Sequence, residues 1–70
     1  MDREVKITWR AARINAGMTM EKACNIIGIT RQTLRRYEQY SAYPTADTAV
    51  RMCDAYKHPI EYIFLLDPAT

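Results

Sequence analysis

Hydrophobic positions along the chain recur every three or four residues, and glycine or proline interrupts each run, a rhythm that predicts a series of short helices. The first helix is expected from near Thr8 to Ala16. Trp9, Ala12 and Ala16 fall at helical spacing with Ile14 close by, while Arg10 and Arg13 lie toward another side; Thr8 supplies a capping hydroxyl and Gly17 a left-handed stop. Thr19 caps a second helix from about Met20 to Ile27, with Ala23, Cys24 and Ile27 as its apolar face and Cys24 small enough for a close helix crossing. Gly28 breaks that helix, Ile29 plugs the turn and Thr30 caps a third helix over Arg31 to Gln39, with Leu34 and Tyr37 directed inward. After a loop ending at Pro44, Thr45 caps a fourth helix with Asp47 in its first turn, where the helix dipole favours an anion. Ala49, Val50, Cys53 and Tyr56 are its expected buried stripe, and Pro59 is expected to start a fifth helix through the apolar run 60–66. Val5, Ile7 and Trp9 alternate with polar residues, which fits an extended arm or short strand over residues 1–7. The expected fold class is all-α, a compact five-helix single domain over residues 1–70 with its helical core over 8–66.

Composition narrows the class. With 49% hydrophobic residues in a 70-residue chain, a small core is feasible and disorder is not expected. No apolar run approaches the roughly 20 residues that span a bilayer, and the opening MDREVKITWR, charged from its second residue, lacks a signal-peptide core. A soluble cytoplasmic protein with no membrane partner is therefore expected. Cys24 and Cys53 show neither CxxC nor Cys/His ligand spacing; one disulfide is the alternative to two reduced core thiols, and the lack of a secretory context favours the thiols. The net charge of +2 is unevenly placed: residues 1–38 carry eight Lys/Arg against four Asp/Glu, and residues 39–70 carry two against four. A basic end suits a polyanion partner, although solvated surface charge accounts equally well for so small an imbalance.

The chemistry-bearing residues gather on the third helix. Arg31, Gln32, Arg35 and Arg36 lie away from its apolar side, and Arg can bond guanine O6 and N7 together as Gln can bond adenine N6 and N7. Nothing resembles a catalytic set. His58 has no acidic or hydroxyl partner placed by sequence, and there is no nucleophile–base pair and no phosphate-cradling glycine loop. An enzyme, a cofactor, a metal and a small-molecule ligand are not expected.

A basic first helix is followed by T-x-E-x-A, a turn glycine, I-T-x-x-T-L-x-x-Y-E, a loop ending in proline, T-x-x-T-x-x-x-M-x-x-A and I-x-Y-I-F. In that order and spacing, over about Thr8 to Leu65, the chain resembles the Cro/cI-type (XRE family) helix-turn-helix regulators of phages and bacteria. The resemblance implies a lambda-repressor-like fold and a sequence-specific DNA-binding transcription regulator, expected to be a repressor. It implies that the third helix reads the major groove through Arg31, Gln32 and Arg36. Arg10, Thr19, Thr30, Thr33, Arg35, Gln39, Tyr40 and Tyr43 would meet the DNA backbone, and Arg13 and Glu38 would form an interhelical salt bridge. The implied partners are double-stranded DNA with a palindromic operator and a second copy of the chain, in the bacterial cytosol or nucleoid.

Two departures stand out. Met20 replaces a common glutamine, and Gln39-Tyr40 replaces the usual Asn-Gly, which leaves open both the turn after the third helix and the choice between phosphate contact and core packing for Tyr40 and Tyr43. R-x-T-L-R-R-Y-E also resembles MerR-type or excisionase-type winged modules, but those start close to the turn motif and continue into a β-wing. The alternative from another class is a protein-interaction module of antitoxin or anti-repressor type, whose supporting feature is the apolar tail 60–66.

Overall fold

Each helix of this protein is opened by a threonine and closed by a left-handed residue. The structure, a computed structural model, describes residues 5–69, so residues 1–4 of the expected arm lie outside the described residues. Among the described residues four α-helices, α1 (Trp9–Asn15), α2 (Met20–Ile27), α3 (Arg31–Glu38) and α4 (Ala46–Tyr56), precede a single 3-10 turn at Ile60–Tyr62. The caps Thr8, Thr19, Thr30 and Thr45 have extended backbones, and their hydroxyls accept from the N–H groups of Ala11, Lys22, Thr33 and Thr48 at 3.1–3.2 Å. Each such cap contributes about 1 kcal/mol, a large share for helices too short to persist alone.

The closing residues are Gly17, Gly28, Tyr40 and Lys57, with φ of 73, 88, 58 and 53°. In every case the next amide reaches back to the carbonyl five residues earlier: Met18 to Arg13, Ile29 to Cys24, Ser41 to Arg36 and His58 to Cys53. Glycine adopts this backbone freely, whereas Tyr40 and Lys57 pay about 1 kcal/mol or more. The turn left open by Gln39-Tyr40 therefore keeps the left-handed residue that an Asn-Gly pair favours, with a tyrosine in the glycine's place.

The five largest fully buried side chains come one from each helix and one from the C-terminal segment: Trp9, Ile27, Leu34, Met52 and Ile63. At about 1.5–3 kcal/mol each, their burial is the main term holding α2 against α3 and α4, and α1 against the same two helices. The expected stripe of α4 needs one correction. Val50 is half-exposed, and Met52 takes the core position, because at 100° per residue Met52 lies among Ala49, Cys53 and Tyr56 while Val50 rotates outward. Cys24 and Cys53 are separate buried thiols whose pKa values burial pushes up.

The expected fifth helix is not formed. Beyond the 3-10 turn the chain straightens at Ile63 (φ −114°, ψ 136°). Ile7 donates its N–H to Tyr62 O and accepts from Phe64 N–H, both at 2.9 Å, closing a parallel bridge between Ile7 and Ile63. Pairing with the N-terminal segment satisfies backbone groups that a lone terminal helix would have had to satisfy within itself. Ile63 thereby enters the core, and Leu65 and Leu66 stay exposed. The all-α class holds with four helices, and the N-terminal segment is extended where it meets Ile63. Among the described residues no helix is long and apolar enough to cross a membrane.

The Tyr56 hydroxyl is buried without a hydrogen-bond partner among the described residues, and desolvation raises its pKa far above the usual phenol value. Burial likewise raises Tyr40. In the unfolded chain both phenols ionise from about pH 10; the folded state holds their protons to higher pH, so stability falls as pH rises above about 10. Tyr56→Phe should leave stability at neutral pH unchanged within about 0.5 kcal/mol or slightly raised. Urea midpoints measured from pH 7 to 11 should show a smaller alkaline loss in that variant than in the parent.

Candidate nucleic-acid interface

The α2–turn–α3 unit is held from behind by two arginines with different tasks. Arg13 of α1 is 9% exposed as a residue. Its Nε donates to Glu38 Oε2 at 2.7 Å and its Nη2 to Glu38 Oε1 at 3.3 Å, while Nη1 donates to Met18 O at 2.9 Å. One guanidinium thus joins α1 to the end of α3 and to the turn before α2. The carboxylate hydrogen bond holds the Arg13 guanidinium above its ordinary pKa against the opposing effect of desolvation. The expected interhelical pair is present, and its extra bond to Met18 was not visible in the spacing.

Arg51 of α4 is the second tether. Its Nη1 donates to Ile27 O at 2.9 Å, placing a cation at the C-terminal end of α2, where the dipole favours it. Nη2 reaches Thr48 Oγ1 at 3.3 Å, and Asp47 stands 3.6 Å from Nε. Sequence reasoning passed over Arg51. The available signal was the i, i+4 spacing with Asp47, which is common on solvated helix faces and does not point to α2.

With the frame fixed, the polar side of α3 is turned outward. Arg31, Gln32, Arg35, Arg36 and Gln39 are exposed, and Leu34 faces the core. Helical geometry puts Gln32 and Arg36 one above the other on the outermost line, flanked by Arg35 and Gln39, with Arg31 about 100° round from Gln32. The Arg31 charge opposes the burial-driven rise of the Cys24 pKa. Among the described residues the ion pairs are Arg13–Glu38 and Arg51–Asp47, and neither uses Arg10, Arg31, Arg35 or Arg36.

A shallow hollow beside this face is lined by Arg10, Met20, Arg35 and Gln39, with the Arg13–Glu38 pair also in its lining. It brings together cations from α1 and α3 and the start of α2. The first turns of α1 and α3 contain no acidic residue, whereas those of α2 and α4 carry Glu21 and Asp47. The amino end of α3 is therefore not neutralised from within its own first turn.

The remaining expected positions divide. Thr19 is exposed and its hydroxyl oxygen is engaged in capping. The hydroxyls of Thr30 and Thr33 lie 2.9 Å apart, so one of their two protons is spent between them and the other is left for an outside acceptor. Tyr43 is half-exposed, its ring centroid 6.3 Å from that of Tyr40. Tyr40 is corrected: its ring is buried, and its hydroxyl bonds Trp9 N–H and Phe64 C=O, so it is not available to a phosphate.

A helix-turn-helix family model matches residues 10–63, from within α1 through the last core residue. The chain belongs to the Cro/cI-type (XRE) helix-turn-helix family. No curated protein and no solved structure matched it in the same comparisons. This XRE-family chain is thus a DNA-binding regulator, from a family of regulatory domains and not of enzymes. The XRE match spans both tethers, so Arg13 and Arg51 belong to the same unit as the exposed face of α3.

The Glu38 side chain is 7% exposed, and removing it strands a buried guanidinium. Glu38→Ala should cost about 3 kcal/mol in urea unfolding, whereas the double change Arg13→Met with Glu38→Leu should cost about 1 kcal/mol or less. Equal losses in the two variants would show that the pair is not desolvated.

Proposed function

We propose that this XRE-family protein is a sequence-specific transcriptional repressor that reads the major groove with α3 and occludes a promoter. The observation that carries the reading is the row Gln32–Arg36, flanked by Arg31 and Arg35, exposed on a helix that Arg13 ties to the body through Glu38, while Arg51 holds the preceding α2. A helix is about 10–12 Å across with its side chains, which suits a groove about 12 Å wide. Arg31, Gln32 and Arg36 contact base edges in this reading. Arg10, Arg35, Gln39, Tyr43, Thr19 and the Thr30/Thr33 pair meet phosphates, with Met20 giving an apolar stretch of the rim. The chain works as one domain, residues 1–7 serving as its arm. The competing reading, an antitoxin or anti-repressor module of the same fold, requires no exposed cationic row on α3.

Replacing Arg31, Gln32 and Arg36 together by alanine should abolish discrimination between selected and random DNA, each position contributing about 1–3 kcal/mol, with the melting temperature nearly unchanged. Affinity of the parent should fall on the order of a hundredfold between about 50 and 200 mM salt. Unaltered selectivity in the triple variant, or affinity indifferent to salt, would favour the interaction module.

The operator is proposed to be palindromic and bound by two copies of the chain. Supporting this is an apolar hollow lined by Ile60, Phe64, Leu65 and Leu66, with Lys6, Glu61 and Asp67 at the same hollow. A Lys and a Glu beside one apolar patch are self-complementary across a two-fold axis. Leu66→Glu should lower affinity for a full palindrome at least about tenfold while leaving affinity for an isolated half-site unchanged, as measured by titration of the two DNAs. Equal loss on both DNAs would rule this seam out.

A further inference from the structure

Tyr40 occupies a left-handed backbone position that glycine would fill without steric cost. The reason for a tyrosine must therefore lie in its side chain. The hydroxyl accepts from Trp9 N–H at 3.4 Å and donates to Phe64 C=O at 2.5 Å. It joins the end of α3, the first residue of α1 and the extended segment after the 3-10 turn. Phe64 N–H continues the series to Ile7 C=O, and Ile7 N–H to Tyr62 C=O, which is the bridge between the two terminal segments.

On its other side Tyr40 sets the turn that closes α3. Ser41 N–H and Ala42 N–H both return to Arg36 C=O, at 3.0 and 3.4 Å, and Ser41 Oγ donates to the same oxygen at 3.3 Å. Tyr40 therefore spans, through its own side chain and backbone, from the hydroxyl bonds at the terminal bridge to the turn whose Ser41 and Ala42 amides return to Arg36 C=O. An uncommon backbone conformation kept by a bulky residue at this junction is explained by the bonds it makes possible.

We propose that Tyr40 is a positioning residue that couples the Ile7–Ile63 bridge to the DNA-reading helix, so that α3 keeps its reading angle while the two terminal segments are paired. The inference rests on the assignment of α3 as the reading helix. Its consequence is reciprocal: opening the bridge weakens DNA binding, and bound DNA tightens the bridge.

Two substitutions in the full chain test the coupling. Tyr40→Phe keeps the ring and removes the hydroxyl; Ile7→Pro removes one bridge N–H without touching α3. Affinity for the selected DNA sequence is measured well below the melting temperature of every variant. Each single change should weaken binding about tenfold, and the double change should weaken it by about the same tenfold. Losses that multiply, or lowered melting temperatures with unchanged affinity, would overturn the proposal. Amide exchange without DNA supplies a readout that does not depend on the function of α3. Tyr40→Phe should speed exchange at Ser41 and Phe64 together, about tenfold at each, and acceleration at only one of them would refute the coupling. Failure of the parent to select any DNA sequence would instead remove the reading assigned to α3, while exchange still decides whether the hydroxyl links the two regions.

Discussion

The Arg13 guanidinium is the constraint on which the presentation of α3 depends. Among the described residues it is the one side chain that bonds the turn into α2 and the end of α3 from α1. A methionine or leucine in its place could fill the same volume, but apolar packing is non-directional and tolerates rotation of one short helix against another. Three donors in a rigid planar fork do not. The desolvation cost of a largely buried pair argues against a large net gain in stability, so its contribution lies in fixing the angle at which α3 is held. Arg51 adds the corresponding constraint at the other end of α2, through the carbonyl of Ile27.

Short helices make such tethers necessary. None of the four exceeds eleven residues, and helices of that length are marginal in water by themselves. Threonine caps and left-handed stops fix where each helix begins and ends, and the five-residue centre fixes that they pack. Neither fixes direction closely. Direction comes from the polar bonds around the core: Arg13 to Glu38 and Met18, Arg51 to Ile27, and the Tyr40 hydroxyl to Trp9 and Phe64. All of these lie behind the face that carries Gln32 and Arg36. A regulator of this size can thus expose a cationic row without spending core residues on it.

Much of this was legible in the chain. The caps Thr8, Thr19, Thr30 and Thr45, the stops Gly17 and Gly28, and the faces Ala23–Cys24–Ile27 and Leu34 follow from spacing and turn chemistry, because they depend on neighbours within one or two turns. The C-terminal run misled for the same reason. Read locally, residues 60–66 form an apolar helix, but Ile63 and Phe64 pair with Ile7, a partner more than fifty positions away that no local pattern encodes. Val50 and Met52 were exchanged because a four-residue apolar set on α4 fits more than one rotation until its neighbours are known.

The sequence by itself determined the threonine caps that open the four α-helices, the family and which residue types can face a base edge, since each rests on local backbone chemistry or on ordered motifs. It also offered Arg13 and Glu38 as partners through the resemblance. Only the tertiary structure decided that Arg51 bonds the last carbonyl of α2, that the last segment is extended, and that Tyr40 belongs to the interior and not to the surface. Those outcomes turn on where a buried polar atom finds its partner, and a hydroxyl or guanidinium satisfied across the fold leaves no mark on the spacing of the residues around it.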